Sequence, residues 1–448
     1  MIVSELHVAK INKKHMNYYS LNRNAPSVDF REATIKGQAP DKGLYFPERI
    51  PIVDSNIIKN IAEYTKEDLA LAIMLPYIGN TINKYDLTKI VSETINFDFP
   101  LVEINKDIFS LELFHGPTLA FKDVGARFMS RCLSYFSQQQ KNKVTVLVAT
   151  SGDTGGAVAN GFLGVEGIEV VILYPSGKVS PVQELQLTTC GQNIKALEVK
   201  GSFDDCQAMV KDAFIDSDLN KHLTLTSANS INVARWLPQQ LYYFFAYQQW
   251  LKVSDQPPII SVPSGNFGNI CAGLLAHVSG LPVDHFIAAC NVNDAVPEYL
   301  RTGKYQSKTA VPTISNAMDV GSPSNFVRVL ALFQDNYQTI SEKISGYSVS
   351  DELTKQTIAG VYQKDNYILD PHGAVAYYAL QEYLKSNPKK KGMILETAHP
   401  VKFPDTVEEA IGRSVEIPES VKPLFKKEKL STLINPSITD LKEWLLAI

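Results

Sequence analysis

The sequence has little cysteine and no long hydrophobic run. Its five cysteines are odd in number, widely spaced and free of any C-x-x-C pair, which argues against a disulfide framework or a zinc site and fits a reducing cytoplasm. No apolar run approaches the roughly 18 to 20 residues that cross a bilayer. The first fifteen residues also lack the apolar core of a secretory signal. We therefore expect a cytoplasmic protein without a membrane span or a metal site.

Charge of either sign is not in excess. The 43 lysines and arginines against 47 aspartates and glutamates give a net charge of -4, and hence no broad positive field for nucleic acid or an anionic membrane. A small molecule is the favoured partner, and a homo-oligomer stays open. Apolar residues make up 45 % and charged residues 20 %, as in compact globular proteins. Because 448 residues exceed one ordinary core, two or three domains are expected.

An N-terminal domain is predicted for residues 1–95, where short extended pieces mix with helical patterns. Residues 1–15 are polar and irregular. They are either a disordered leader or an artefact in front of a natural start at Met16.

After residue 95, apolar β-branched runs alternate with amphipathic helical stretches. This alternation indicates an α/β fold with a parallel sheet covered by helices on both faces. Four runs predict strands at 144–149, 169–174, 259–262 and 393–396. A turn rich in Gly, Ser, Thr or Asn follows each of them. Ligands of open parallel sheets bind beyond the carboxyl ends of the strands, so the chemistry is expected in these turns.

The aromatic segment 242–250 is apolar on nearly every face of a helix. Such a pattern is typical of a helix that is buried all round. We interpret it as a core or subunit-interface helix and not as a platform that stacks nucleic-acid bases.

The turn after the third predicted strand, PSGNFGN at 263–269, leads into a helical stretch. Its glycines let the backbone approach a ligand, and the unpaired N–H groups at a helix start attract a phosphate dianion. It is neither a Walker A loop nor a G-x-G-x-x-G dinucleotide fingerprint. Taken alone, this turn fits a phosphate-binding site, here called the phosphate cup, only slightly better than it fits a tight turn that binds no ligand.

The turn after the first predicted strand, ATSGDTGGA at 149–157, adds hydroxyl groups to the same setting. Ser151 and Thr154, together with exposed N–H groups, suit a carboxylate or a second phosphate. Helix capping by Ser151, Asp153 or Thr154 explains the same residues equally well.

Lys122 lies in the stretch LFHGPTLAFKDVGARF at 113–128, which opens a helix with an apolar face. Most lysines are solvated, and a lone lysine is rarely catalytic. At an apolar helix start, however, desolvation lowers the pKa of a lysine and favours Schiff-base formation. Lys122 becomes a catalytic candidate through the motifs that accompany it.

The run HGPTLAFKD at 115–123 resembles the cofactor-lysine motif of threonine synthases. Further segments resemble signatures of that family in the expected order: GLYFP at 43–47, SGDTG at 151–155, PSGKVS at 175–180, NSINVAR at 229–235, GNFGN at 265–269 and TAHP at 397–400. Agreement of all of them by chance is negligible. The sequence is therefore identified as a member of this family of pyridoxal-phosphate (PLP) enzymes, whose architecture is related to tryptophan synthase β and cysteine synthase.

The resemblance implies a fold-type II enzyme with pyridoxal 5'-phosphate as its cofactor. The domain division that follows comprises an N-terminal domain at 1–95, a large PLP-binding domain formed by 96–128 and 228–448, and a small mobile α/β domain at 129–227. Carried over position by position, Lys122 holds PLP as a Schiff base, and Thr397 faces the pyridine nitrogen. The residues that bind the cofactor phosphate are then Gly265, Asn266, Phe267, Gly268 and Asn269.

The resemblance also implies substrate contacts. Ser151 and Thr154 are expected to bind the substrate, whereas Asp153 is expected to turn away because its charge would repel a bound carboxylate. Lys178 is a candidate for the substrate phosphate, with a helix-capping role of residues 175–183 as its alternative. Arg235 fits phosphate binding and domain-locking hydrogen bonds equally well.

The activity that the resemblance implies is conversion of O-phospho-L-homoserine and water to L-threonine and inorganic phosphate. Lys122 would serve as acid and base in the proton transfers, and the small domain would close around the substrate. A related phospho-lyase that releases a ketoacid and ammonia is the alternative. The two glycine-rich turns also fit a non-catalytic anion-binding protein, but the presence of both Lys122 and Thr397 argues against it.

Overall fold

The computed structural model describes residues 15–138 and 143–447. The predicted leader lies outside the described residues, apart from His15. Within this part of the chain the strands form three sheets, and no helix is both long and apolar enough to cross a membrane.

Strands and helices alternate along most of the chain, as the sequence predicts. The strands are β1 (Asn17–Ser20), β2 (Val28–Asp29), β3 (Tyr45–Pro47), β4 (Leu101–Glu103), β5 (Ile108–Glu112), β6 (Val144–Ala149), β7 (Ile168–Pro175), β8 (Ile194–Val199), β9 (Thr224–Ser227), β10 (Ile259–Pro263), β11 (His285–Cys290), β12 (Ile344–Ser348), β13 (Gly392–Glu396) and β14 (Thr432–Ile434). The helices are α1 (Phe30–Lys36), α2 (Ser55–Lys59), α3 (Lys66–Ile78), α4 (Lys84–Thr94), α5 (Lys122–Ser137), α6 (Asp153–Phe162), α7 (Pro181–Thr188), α8 (Phe203–Ile215), α9 (Leu219–His222), α10 (Val233–Trp236), α11 (Gln240–Trp250), α12 (Gly268–Val278), α13 (Ala295–Thr302), α14 (Phe326–Leu332), α15 (Tyr337–Lys343), α16 (Asp351–Asp365), α17 (Pro371–Ser386), α18 (Pro404–Ile411) and α19 (Ile438–Ala447).

The N-terminal region combines the antiparallel sheet β2-β1-β3 with helices α1 to α4. Each of these helices begins after a residue whose side-chain oxygen accepts a hydrogen bond from a backbone N–H of the first turn, and these caps are Asp29, Asp54, Thr65 and Asn83. The sequence therefore fixes where each helix starts. An N-terminal domain is present, as predicted.

The large sheet has the strand order β12-β11-β10-β13-β5-β4, and all of its strands are parallel except β4. Successive residues of β10 point to opposite faces because side chains alternate along a strand. Ile260 and Val262 join the apolar core that contains α11 and α12, whereas Ile259 joins the core that contains α16 and α17. Helices on both faces explain why this strand is apolar throughout.

The small sheet has the order β14-β8-β7-β6-β9, and all of its strands are parallel. Its central strand β7 and neighbouring β6 are almost completely buried. The four strands predicted from the sequence are confirmed as β6, β7, β10 and β13. Segment 242–250 falls in α11, which is largely buried and confirms the predicted core helix.

The fold class is confirmed as α/β with parallel sheets and an additional N-terminal domain. The proposed domain division stays a prediction in outline, but sheet membership corrects its C-terminal part. Residues 432–447, which the sequence assigns to the large domain, carry β14 on the edge of the small sheet and α19 against α8. The boundary at residue 128 also falls inside α5. A strand of three residues is too short for its sequence pattern to indicate which sheet edge it joins.

Candidate active site

Three neighbouring strands of the large sheet, β10, β13 and β5, end at the same edge because they are parallel. The segments that follow them contain the phosphate-cup turn, Thr397 and Lys122. Two backbone hydrogen bonds join the last two segments: the N–H of Phe121 donates to the Thr397 carbonyl at 2.9 Å, and the N–H of His399 donates to the Leu119 carbonyl at 3.1 Å. Topology thus brings together residues that are far apart in the sequence.

Lys122 is the first residue of α5, and 18 % of its side chain is exposed. Its Nζ lies 3.5 Å from Oδ2 of Asp153, at the start of α6. Burial lowers the pKa of the Lys122 ammonium, the nearby Asp153 carboxylate opposes this shift, and the charge of Lys402 adds to it. Lys122 therefore has the setting that favours a reactive amine.

Asp153 does not turn away from the site, and that expectation is wrong. Its Oδ1 pairs with Nζ of Lys402 at 2.6 Å and accepts a hydrogen bond from Nε2 of Gln183 at 2.9 Å. Burial alone would raise the pKa of this carboxyl, but the Lys402 and Lys122 ammonium groups together hold it well below its usual range. The cations around this carboxylate come from distant parts of the chain, Lys122 and Lys402, so the sequence near Asp153 does not indicate them.

Lys402 is a site residue that sequence reasoning missed. It ends the 3-10 turn Pro400–Lys402 after β13, and its side chain is completely buried. Its Nζ also donates to the Thr118 carbonyl at 2.8 Å. The available signal was its position three residues after His399 in a motif segment, but an isolated lysine in a turn ordinarily indicates a solvated side chain.

The phosphate-cup turn connects β10 to α12. A Cβ on Gly265 would lie 2.6 Å from Cα of Met318, so the backbone at this position tolerates no side chain. Phe267 has a left-handed conformation with φ 61°, which is uncommon for a residue other than glycine. The turn is held in a specific and strained shape.

Asn266 and Asn269 are fixed by partners outside the turn. Asn266 donates from Nδ2 to Oγ of Ser230 at 2.6 Å. Oδ1 of Asn269 accepts from the hydroxyls of Tyr242 at 2.7 Å and Tyr243 at 2.8 Å, whereas its buried Nδ2 has no hydrogen-bond partner among the described residues. A buried amide donor without a partner is costly unless a ligand accepts from it.

The second glycine-rich turn leads from β6 to α6. Gly152 has φ 136°, and a Cβ there would lie 2.5 Å from Cδ of Gln183. The capping alternative applies to Thr150 instead of the three residues proposed for it, because its Oγ1 accepts from the N–H groups of Gly152 at 3.0 Å and Gly155 at 2.9 Å. Ser151 and Thr154 are partly exposed and take no part in this cap.

Arg235 lies next to α5, where a Cβ on Gly125 would meet its Nε at 3.0 Å. The guanidinium is buried and donates from Nη1 to the Ala228 carbonyl, while its Nε lacks a partner among the described residues. Burial lowers the pKa of Arg235 to about 10, and Asp123 acts in the opposite direction. These contacts hold Arg235 within residues 228–235 and against α5, and both alternatives for its role stay predictions.

Lys178 is not brought into this group by any contact among the described residues. Its side chain is exposed, and its charge acts on Asp205 and Cys206 at the start of α8. The capping box next to it is present: Oγ of Ser180 accepts from the N–H of Gln183, and Oε1 of Gln183 accepts from the N–H of Ser180. The predicted capping box is therefore present, and a contact of Lys178 with the substrate phosphate stays a prediction.

The arrangement fits PLP. The start of α12, with its N–H groups and the unpaired Nδ2 of Asn269, suits the cofactor phosphate. Lys122 supplies an amine of lowered pKa, and the hydroxyl of the buried Thr397 suits the pyridine nitrogen.

Comparison with known proteins agrees with this geometry. A family model described as "Pyridoxal-phosphate dependent enzyme" matches residues 98–395, while "Threonine synthase N terminus" and "Threonine synthase, C-terminal" match residues 17–95 and 373–444. A threonine synthase from Buchnera aphidicola is 42 % identical over 432 residues, which cover 96 % of this chain and 100 % of the relative. The chain belongs to the threonine synthase family.

Two solved threonine synthases have the same fold. The enzyme from Escherichia coli superposes with a TM-score of 0.89 at 40 % identity, covering 96 % of this chain and 99 % of that chain. The PLP-bound enzyme from Brucella melitensis gives a TM-score of 0.90 at 35 % identity, covering 96 % and 98 %. The predicted fold type II and the predicted cofactor, PLP, are confirmed for this threonine synthase family member.

Proposed function

We propose that this chain converts O-phospho-L-homoserine and water to L-threonine and inorganic phosphate. The convergence of Lys122, Thr397 and the turn 265–269 on the ends of three adjacent parallel strands carries the proposal. The threonine synthases to which the chain is similar support the choice of reaction.

Lys122 is proposed to hold PLP covalently and to transfer the protons. When bound, PLP supplies the electron sink that makes the α and β protons of an amino acid removable. The Lys122 amine would hold the cofactor and, when free, would remove the proton at Cα and act again as base and acid at Cβ and Cγ. Burial lowers the pKa of Lys122, which supports a role for its amine as a base.

The cofactor ring and phosphate have separate proposed partners. Thr397 is proposed to face the pyridine nitrogen, where a hydroxyl leaves that nitrogen largely unprotonated and moderates the electron sink. The residues proposed for the phosphate are Gly265, Asn266, Phe267, Gly268 and Asn269. The free Nδ2 of Asn269 supports this assignment.

Substrate contacts are proposed for Ser151 and Thr154, since Thr150 takes over the capping of α6 and leaves both hydroxyls for a carboxylate. The exposed Lys178 is proposed for the substrate phosphate. Arg235 is proposed to hold residues 228–235 against α5 while it stays near that phosphate. We also propose a cytoplasmic location, because the five cysteines are free thiols.

The test is product analysis with O-phospho-L-homoserine. Wild-type protein loaded with PLP should release phosphate and L-threonine in equal amounts, and Lys122→Ala should lose both products and the visible absorbance of bound cofactor. Lys66→Ala is the matched control, because Lys66 is also the first residue of a helix but pairs at the surface with Asp98. Release of 2-oxobutyrate and ammonia would instead establish the phospho-lyase reaction.

A further inference from the structure

The two oxygens of the Asp153 carboxylate have different partners. Oδ1 is occupied by Lys402 at 2.6 Å and by Gln183 at 2.9 Å. Oδ2 faces Nζ of Lys122 at the longer distance of 3.5 Å. One oxygen is thus engaged by fixed groups, and the other is directed to the amine proposed to react.

Lys402 is the permanent counterion of this carboxylate. Lys122 cannot fill that role, because in the proposed function its amine is bound to the cofactor in one state and changes its protonation in others. The Lys402 ammonium is held by Asp153 and by the Thr118 carbonyl, and its side chain is completely buried. A buried carboxylate needs a cation beside it, so without Lys402 the Lys122 ammonium would be the cation that balances Asp153 and would lose its proton less readily.

The charges that face Lys122 come from several elements. Asp153 lies at the start of α6, Lys402 after β13 and Arg235 in α10, and all three act on the Lys122 ammonium. Asp123 in the first turn of α5 acts on Arg235 and itself accepts hydrogen bonds from Thr118. Within this set, Asp153 favours the protonated amine, whereas Lys402 and Arg235 favour the neutral amine.

We propose that Lys402 is a positioning residue: it keeps Asp153 ionised and aims Oδ2 of that carboxylate at the Lys122 amine, so that Asp153 orients Lys122 and sets its protonation during proton transfer. This inference rests on the proposed function, in which Lys122 moves the protons. The pair also joins the two sheets. Asp153 follows β6 of the small sheet, and Lys402 follows β13 of the large sheet.

Removal of the Lys402 charge and removal of the Asp153 charge should shift the pKa of Lys122 in opposite directions. Lys402→Met removes a neighbouring like charge and leaves Lys122 as the cation on Asp153, so the pKa of Lys122 rises by about 1 unit or more. Asp153→Asn removes the opposite charge, so the pKa of Lys122 falls by a similar amount, about 1 unit. Lys402→Arg keeps the charge and should retain the wild-type value.

The experiment measures two quantities against pH. The first is kcat with O-phospho-L-homoserine, and the second is the rate at which protein stripped of cofactor regains visible absorbance when PLP is added, since that reaction needs the neutral amine of Lys122. We expect the acidic limb of both profiles to move to higher pH in Lys402→Met and to lower pH in Asp153→Asn. Lys308→Met is the control, because Lys308, like Lys402, pairs with carboxylate groups, in its case those of Asp294 and Glu298 at the start of α13.

Shifts in the same direction, or no shift, in these two variants would overturn the inference. If Lys402→Met does not fold, the double variant Lys402→Met/Asp153→Asn removes both charges together, and its profile should lie between the wild-type profile and that of Asp153→Asn. A double variant that equals Asp153→Asn would show that Lys402 has no effect on Lys122. Absence of threonine with wild-type protein would overturn the proposed function separately, because the reconstitution rates still report the pKa of Lys122.

Discussion

Two buried carboxylates lie beside Lys122, and the chain compensates their burial in different ways. Asp153 is surrounded by cations, whereas Asp123 accepts hydrogen bonds from the N–H of Thr118 at 2.9 Å and from its hydroxyl at 2.5 Å. Burial raises the pKa of Asp123, and the Thr118 donors oppose that shift. Thr118 thereby ties the loop before α5 to the helix that carries Lys122.

The Thr118 hydroxyl should therefore be important for stability. Thr118→Val removes one hydrogen bond to a buried carboxylate, which costs about 1.5–3 kcal/mol. Urea unfolding of the PLP-loaded protein checks this, and Thr118→Ser, which retains a hydroxyl, should stay close to wild type. Equal stability of the Val variant and the wild type would show that Asp123 does not depend on this donor.

Asp153 should make stability depend on pH. Its pKa is depressed in the folded protein, so the stabilisation that it contributes is present above the pKa of an unfolded aspartate, about 3.9, and is lost as the pH falls toward the folded value. The stability of wild type relative to Asp153→Asn should therefore decrease below about pH 4. Denaturant midpoints for both proteins between neutral and acidic pH measure the difference, and a constant difference would contradict the prediction.

At the scale of elements, the sequence predicts those that carry their own signal. β6 and β10 are apolar runs bounded by turn residues, and the turns after them have glycines at Gly152 and Gly265 that the backbone requires. β14 gives no such signal, because two of its three residues are exposed and its partner β8 is over 200 residues away in the chain. Lys402 was missed for the same physical reason, since tertiary contacts alone bury it.

The C-terminal segment that contains β14 and α19 should protect the edge of the small sheet from association with other molecules. Lys429 forms ion pairs with Glu184 and Glu198, each at 2.7 Å. The backbone of β14 pairs with β8. Leu441 and Leu445 of α19 are buried in the apolar core that also contains residues of α8. Removal of residues 428–448 uncovers the edge of β8 and this apolar surface, and exposed edges of this kind associate.

We expect the truncated protein to aggregate in size-exclusion chromatography with light scattering. Lys429→Met is the control, because it removes the ion pairs and leaves β14 and α19 in place; it should elute as the wild type does. A truncated protein that elutes like the full chain would show that β8 needs no cover.

At the scale of the whole molecule, the proposed contacts to substrate and cofactor come from both sheets. Ser151 and Thr154 follow a strand of the small sheet, whereas Lys122 and Thr397 follow strands of the large sheet. The contact between Asp153 and Lys402 joins the two edges directly. A substrate held by both groups therefore favours an approach of the small sheet toward the large one.

Closure of the small domain should accompany binding of a non-reactive phosphonate analogue of O-phospho-L-homoserine. Small-angle X-ray scattering of the PLP-loaded protein should give a smaller radius of gyration with the analogue. Crystal forms with and without it should differ by a rigid-body movement of residues 144–227 together with 432–447. The double variant Ser151→Ala/Thr154→Val should keep PLP but lose the compaction, because the small sheet then lacks its hydroxyl contacts to the ligand. Free and bound forms that superpose without such a movement would contradict this prediction. They would mean that the contacts from both sheets already fit the substrate, and that the Asp153–Lys402 pair holds the site closed before the substrate binds.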